Sequence, residues 1–155
     1  MKEAVVAGAL AVAAVNALSG LLGAWLWYRG DPSDRSANTL FWVALRVGQG
    51  SALTLAIAVG SLAAAGKYAS ENLFYLYALL PLAVGFVAEQ LRVAAAQTVL
   101  DQRGIANAEA VGELAPREQQ AVVAAIVRRE VGVMASAALV VTFLALRAAG
   151  TAHGF

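Results

Sequence analysis

Residues 85–97 read GFVAEQLRVAAAQ. An apolar run long enough to cross a bilayer meets Glu89, Gln90 and Arg92 here, then continues in residues that favour a helix. Either the membrane ends at these charges or they lie inside it, and the rest of the sequence bears on which.

Upstream and downstream of this stretch, apolar residues gather at about 4–28, 40–65, 71–90 and 130–148. Each run is near the ~20 residues that a hydrocarbon layer of ~30 Å requires of a helix. Backbone in lipid must satisfy its own hydrogen bonds, so four spanning helices are predicted. Composition agrees. Of 155 residues, 61% are hydrophobic and 14% are charged, against about a quarter charged in an average soluble domain. The expected fold class is therefore an all-α membrane protein, a four-transmembrane-helix bundle forming a single integral membrane domain over 1–155. The first run carries MKE before it and ends in WLWYRG. That ending lacks the small-residue cleavage site of a signal peptide, so the run reads as a retained helix.

Two of the helices are predicted to outrun the bilayer. The third holds good helix formers to Arg103, with Gly104 as its terminator. The fourth starts at Pro116, a residue suited to a first helical turn, and no strong breaker separates it from the last apolar run. Each would then be about 50 Å long at 1.5 Å per residue. Their ends should project into the cytoplasm as a helical hairpin, packed through Val93, Ala96, Val99 and Leu100 against Val122, Ala125, Ile126 and Arg129. A short helix around 107–113 would cap the tip.

Orientation follows from Lys and Arg. The 29–39 loop holds Arg29 and Arg35, and the 101–129 region holds Arg103, Arg117, Arg128 and Arg129, with Arg46 and Arg92 at helix ends on that side. Lys2, Lys67 and Arg147 fall on the other. Loops 29–39 and 104–115 are accordingly expected in the cytoplasm and both termini outside, in a prokaryotic cytoplasmic membrane.

With the helices aligned on their outer ends, near 5, 65, 71 and 148, and ~20 residues counted inward, the inner boundary falls near 25, 45, 91 and 128. Trp25, Trp27, Tyr28, Phe41 and Trp42 would form an interfacial belt there, and Tyr68, Phe74, Tyr75 and Tyr77 a looser counterpart outside. Arg46, Gln49, Glu89, Arg92, Arg128, Arg129 and Glu130 share the same layer, so the charges of the opening stretch are expected at the membrane's inner edge. Glu89 and Arg92 lie three apart on one helical face, as do Arg46 and Gln49, and an ion pair from Glu89 to Arg46 would join helices two and three. Charged residues at such depth serve either as interhelical pairs or as part of a transport path. Nearer the midplane the same count places Asn16, Thr54 and Ser136, residue types that form interhelical hydrogen bonds. Pro81 removes the hydrogen bond to the carbonyl of Tyr77 and is expected to kink helix three.

Several chemistries find no residues to carry them. The chain has no cysteine, one histidine and two methionines, so thiolate chemistry, a bis-histidine haem and a copper site lack ligands. No Ser/His/Asp set can be assembled in the bundle. The GQG of residues 48–50 lacks both the third glycine and the βαβ setting of a dinucleotide fingerprint. A net charge of +1 gives no footprint for nucleic acid. No cofactor and no metal are expected. The expected partners are the lipid bilayer and either another membrane or cytoplasmic protein or further copies of the chain. The expected function is that of a non-catalytic accessory or structural subunit docking a partner through the hairpin. The alternative is a small homo-oligomeric transporter or channel that uses the inner Arg/Glu/Gln layer.

Overall fold

The computed structural model describes residues 2–30 and 35–153, so residues 31–34 of the predicted 29–39 loop lie outside the described residues. Among the described residues five helices follow in order: α1 Lys2–Arg29, α2 Arg35–Ala64, α3 Asn72–Gln102, α4 Ala108–Gly112 and α5 Pro116–Thr151. No strand occurs among the described residues. The four long helices are each long and apolar enough to cross a membrane.

Helix ends and apolar runs do not coincide, because lipid contact and helical hydrogen bonding are separate demands. α2 starts at Arg35, five residues before its apolar run, and the Thr39 hydroxyl donates to the carbonyl of Arg35 at 2.8 Å within this polar first turn. α3 ends at Gln102, and Gly104 takes a left-handed φ of 67° that lets the chain turn away. Asn107 caps α4, its side chain accepting from the amide of Ala110. Pro116 occupies the first turn of α5.

α1 packs along α5 and α2, α3 packs along α5, and the α2–α3 seam is the slightest of these four interfaces. Small side chains are prominent on the buried faces of α1 and α5. The buried face of α1 includes Ala9, Ala13, Ser19, Gly20 and Gly23 beside Val5, Val12 and Asn16, and that of α5 includes Ala135, Ala138, Ala145 and Ala148. Leu18, Ile57, Phe86 and Phe143 point outward, each more than 60% exposed. Small residues inside let helix backbones approach, which is how helices associate when lipid removes the hydrophobic drive between them. The outward leucines and phenylalanines form the surface that lipid would cover.

The closest approach lies where α1 meets α5 and α2. A Cβ built on Gly20 would fall 2.8 Å from Cγ of Leu139, and one on Gly23 would collide with Phe41 and stand 2.7 Å from Cβ of Ala135. Phe41 is fully buried in the slot that Gly23 leaves, and Phe74 is fully buried in the other core cluster. Both aromatics therefore serve the core, although sequence position alone assigns them to interfacial belts. At the other end of the bundle, the amide and hydroxyl of Ser70 both donate to the carbonyl of His153, at 2.9 and 3.0 Å, tying the start of α3 to the end of α5.

α3 and α5 stay in contact to their far ends. Val99 and Leu100 on α3 and Val122 on α5 are buried, and the Arg103 guanidinium reaches the carbonyl of Ala121. Val93, expected on this face, is 63% exposed instead. The contact stripe of α3 runs through Arg92, Ala95, Ala96 and Val99, one position round the helix from Val93.

Candidate functional site

The loose α2–α3 seam is held by polar side chains. Arg46 on α2 donates from Nη1 to Oε1 of Glu89 on α3 at 2.5 Å, and from the same nitrogen to Oε1 of Gln49 at 2.6 Å. Gln49 in turn donates from Nε2 to Oε1 of Glu89 at 3.3 Å. The other carboxylate oxygen of Glu89 accepts from Nε of Arg92, one helical turn on, at 2.9 Å. Arg92 also faces Glu130 of α5 at 3.6 Å and lies over the indole of Trp42.

Each contact follows from helix geometry. Arg46 and Gln49 share a face of α2 by their three-residue spacing, as Glu89 and Arg92 do on α3, and the two faces meet across the seam. The result alternates in sign from Arg46 to Glu89 to Arg92 to Glu130, and its formal charge sums to zero. Pairing of this kind is what allows ionisable groups to persist in spanning helices, where an unpaired charge is costly.

The structure thus brings together Arg46, Gln49, Glu89, Arg92 and Glu130, and leaves two members of the predicted layer elsewhere. Arg128 donates to the carbonyl of Trp27 at 3.2 Å and lies over the Trp27 ring, at the end of α1. Arg129 donates to the side chain of Gln102 at 3.1 Å. Their neighbour Glu130 joins the network because it points round α5 toward Arg92 rather than toward α1.

The midplane trio does not converge. Thr54 and Ser136 are exposed, and each hydroxyl donates to the carbonyl four residues back on its own helix, Gly50 and Gly132. Asn16 behaves differently. It is 2% exposed, and its Nδ2 donates to the carbonyls of Val12 on α1 and Gly48 on α2, at 2.9 and 3.3 Å. Gly48 is where α2 lacks a side chain, and a Cβ there would stand 2.8 Å from Asn16 Oδ1.

Asn16 also lines a cavity of about 320 Å³ in the α2–α3 seam, together with Arg46, Gln49, Glu89, Pro81 and Gly85. Asn16 thus shares a cavity with the α2–α3 part of the network, whereas Glu130 lies two residues from Arg128, which meets Trp27 at the end of α1. Pro81 is buried on the wall of this cavity, and α3 continues as one helix through it. A second and larger recess, of about 1190 Å³, is an apolar groove between α3 and α5 near Trp27 and Leu91.

Chemically, the seam offers a carboxylate, two guanidinium groups and two carboxamides at the side of an apolar space. Among the described residues no three His, Cys, Asp or Glu side chains gather as they would around a metal ion. No protein-family model matches the chain, and no curated protein or solved structure matches it either.

Proposed function

We propose that the chain is a non-catalytic integral membrane protein, an accessory or structural subunit that docks a partner through a cytoplasmic hairpin formed by the ends of α3 and α5. The observation that supports this most is a mismatch of length. Arg128 of α5 is level with Trp27 and Gly30 at the end of α1. The twelve residues of α5 before it, Pro116–Val127, represent about 18 Å of helix at 1.5 Å per residue. The end of α3 pairs with them through Val99, Leu100 and Val122. A bundle built only to sit in lipid has no use for this extension. The extension closes on itself at the tip, where Gln119 donates to the carbonyls of Gly112 and Leu114, and it still shows Val93 and Val123 more than half exposed. In this reading loops 29–39 and 104–115 lie in the cytoplasm of a prokaryotic cell and both termini lie outside, as the Lys and Arg distribution favours.

Native mass spectrometry after mild-detergent extraction tests the docking role. A second protein should be recovered at fixed ratio with the unaltered chain. It should be lost from the Val93→Glu/Val123→Glu variant, whose changes touch only exposed positions. Recovery of this chain alone, with or without the two substitutions, overturns the proposal. The cavity beside Asn16 and Glu89 favours a second reading, a small homo-oligomeric transporter or channel. Under that reading Glu89→Gln abolishes flux in vesicles while the protein stays folded.

A further inference from the structure

The cavity in the α2–α3 seam carries an assignment that stands whether or not the protein moves what it binds. At about 320 Å³ it lies at the lower end of the ~300–1,000 Å³ range of small-molecule sites. Its walls are mostly apolar, and glycine at position 85 leaves one of them open. A Cβ there would meet nothing within 4 Å. Leu53 and Phe86 line the cavity yet are 49% and 68% exposed, so the space opens between them toward the face that lipid covers. An occupant that arrives from the bilayer must be amphipathic.

The polar side of the cavity specifies the head group. Both hydrogen bonds of the Asn16 side chain are donated by Nδ2, which fixes the amide's orientation and leaves Oδ1 as an acceptor. Asn16 lines the cavity, and since both of these bonds use its nitrogen, the amide oxygen is the group it has left to accept from an occupant. Arg46 uses only Nη1 in its bonds to Gln49 and Glu89, which leaves other guanidinium N–H groups to offer. A hydroxyl supplies both the donor that Asn16 lacks and an acceptor for Arg46. The network of Arg46, Glu89, Arg92 and Glu130 is formally neutral, so an ion of either sign gains little net attraction and still loses its hydration on entry. The geometry points to a binding site in the α2–α3 seam for an uncharged amphiphile with a hydroxyl head group, read by Asn16 and Arg46.

The test uses the full chain in phospholipid nanodiscs and four probes of equal chain length: dodecan-1-ol, its methyl ether, dodecanoate and dodecylammonium. Thermal midpoints are followed as each is titrated, since a ligand that binds only the folded state raises the midpoint. The alcohol should raise it at concentrations at least tenfold below those needed by the ether, which cannot donate to Asn16, or by either ion. Gly85→Leu, which fills the open wall, should unfold at a midpoint no lower than the parent and should not respond to the alcohol. Monolauroylglycerol separates two sources of the same chemistry: binding tighter than dodecanol assigns the site to glycerolipids, and weaker binding assigns it to single-hydroxyl alcohols. An ether equal to the alcohol, an ion that binds best, a full response in Gly85→Leu, or no response to any probe each overturns the assignment. The head-group series needs no variant, so it decides the matter even if the filled bundle fails to fold.

Discussion

The α1–α5 seam and the α2–α3 seam solve one problem in opposite ways. The first is closed by absence of side chain: Gly20 against Leu139, Gly23 against Ala135, with Ser19 and Ala138 buried between. The second is barely closed at all, and polar contacts from Arg46 and Gln49 to Glu89 span what packing leaves open, continuing through Arg92 to Glu130 of α5. Dispersion between backbones needs near contact and is lost with an added methyl group, whereas ion pairs tolerate a gap but need every partner present. The tight seam should therefore fail through added volume and the loose seam through removed charge.

The largest effect is expected at Gly23. A side chain there meets Phe41, which is fully buried, and Ala135, whose Cβ is fixed to its helix. Overpacking of this kind costs about 1–3 kcal/mol for extra methylenes, and Gly23→Val adds them where neither neighbour is a flexible end. Valine is only about 0.3–0.5 kcal/mol better than glycine in a helix, so little of that cost is offset. Gly50→Ala is the matched control, because nothing lies within 4 Å of the added atom. Thermal unfolding in detergent should show a large drop for the first and none for the second. Equal behaviour of the two would mean that the α1–α5 seam is not held by close packing.

At the loose seam, Glu89→Gln keeps the shape of the side chain and leaves Arg46 and Arg92 without their shared anion. Breaking a buried pair costs about 3–5 kcal/mol, and because Glu89 is 28% exposed a loss of about 1–2 kcal/mol is expected after screening by solvent. The exchange Arg46→Glu with Glu89→Arg separates an ion pair from mere packing. It restores the contact between α2 and α3 at the cost of placing a second guanidinium beside Arg92. Recovery of part of the loss in the double variant, relative to the sum of the singles, is the expected result. Strict additivity would remove the pair from the account of this seam.

The two seams were not equally legible in the sequence. Four spans follow from the apolar runs, and the extents of α3 and α5 follow from Gly104 and Pro116. The meeting of Arg46 with Glu89 could be anticipated, because two faces with matching three-residue spacing lie at similar depth. Helix offset was hidden. Counting inward from flush outer ends puts Asn16 about eleven residues deep and Gly48 about seventeen, a mismatch of roughly 9 Å, yet the two share a hydrogen bond. A one-dimensional count cannot register the tilt and slide that let a glycine on one helix receive an asparagine from another. The same limit made Phe41 and Phe74 look interfacial, since depth along a helix says nothing about which face an aromatic occupies. The pairing of small residues at Gly20 and Gly23 is written in the chain, but their partners are fixed only by the packing of α5.

The smallest effect sharpens the contrast by testing polar groups that belong to neither seam. Thr54 and Ser136 have the residue types that join helices in membranes, and a depth count groups them with Asn16. Each instead returns its hydroxyl to its own helix, to Gly50 and Gly132, from an exposed position. A hydrogen bond inside one helix contributes nothing to association, so Thr54→Val and Ser136→Ala should each stay within about 0.5 kcal/mol of the parent. Asn16→Leu removes bonds to two carbonyls, one of them on a neighbouring helix, and should cost more than either, about 1 kcal/mol from the scale of interhelical bonds in membranes. Unfolding midpoints for the three variants in one detergent would check the order. If Thr54→Val proved as damaging as Asn16→Leu, its outward face would have to be covered by something other than lipid, and a second copy of the chain packed on α2 would be the first thing to look for.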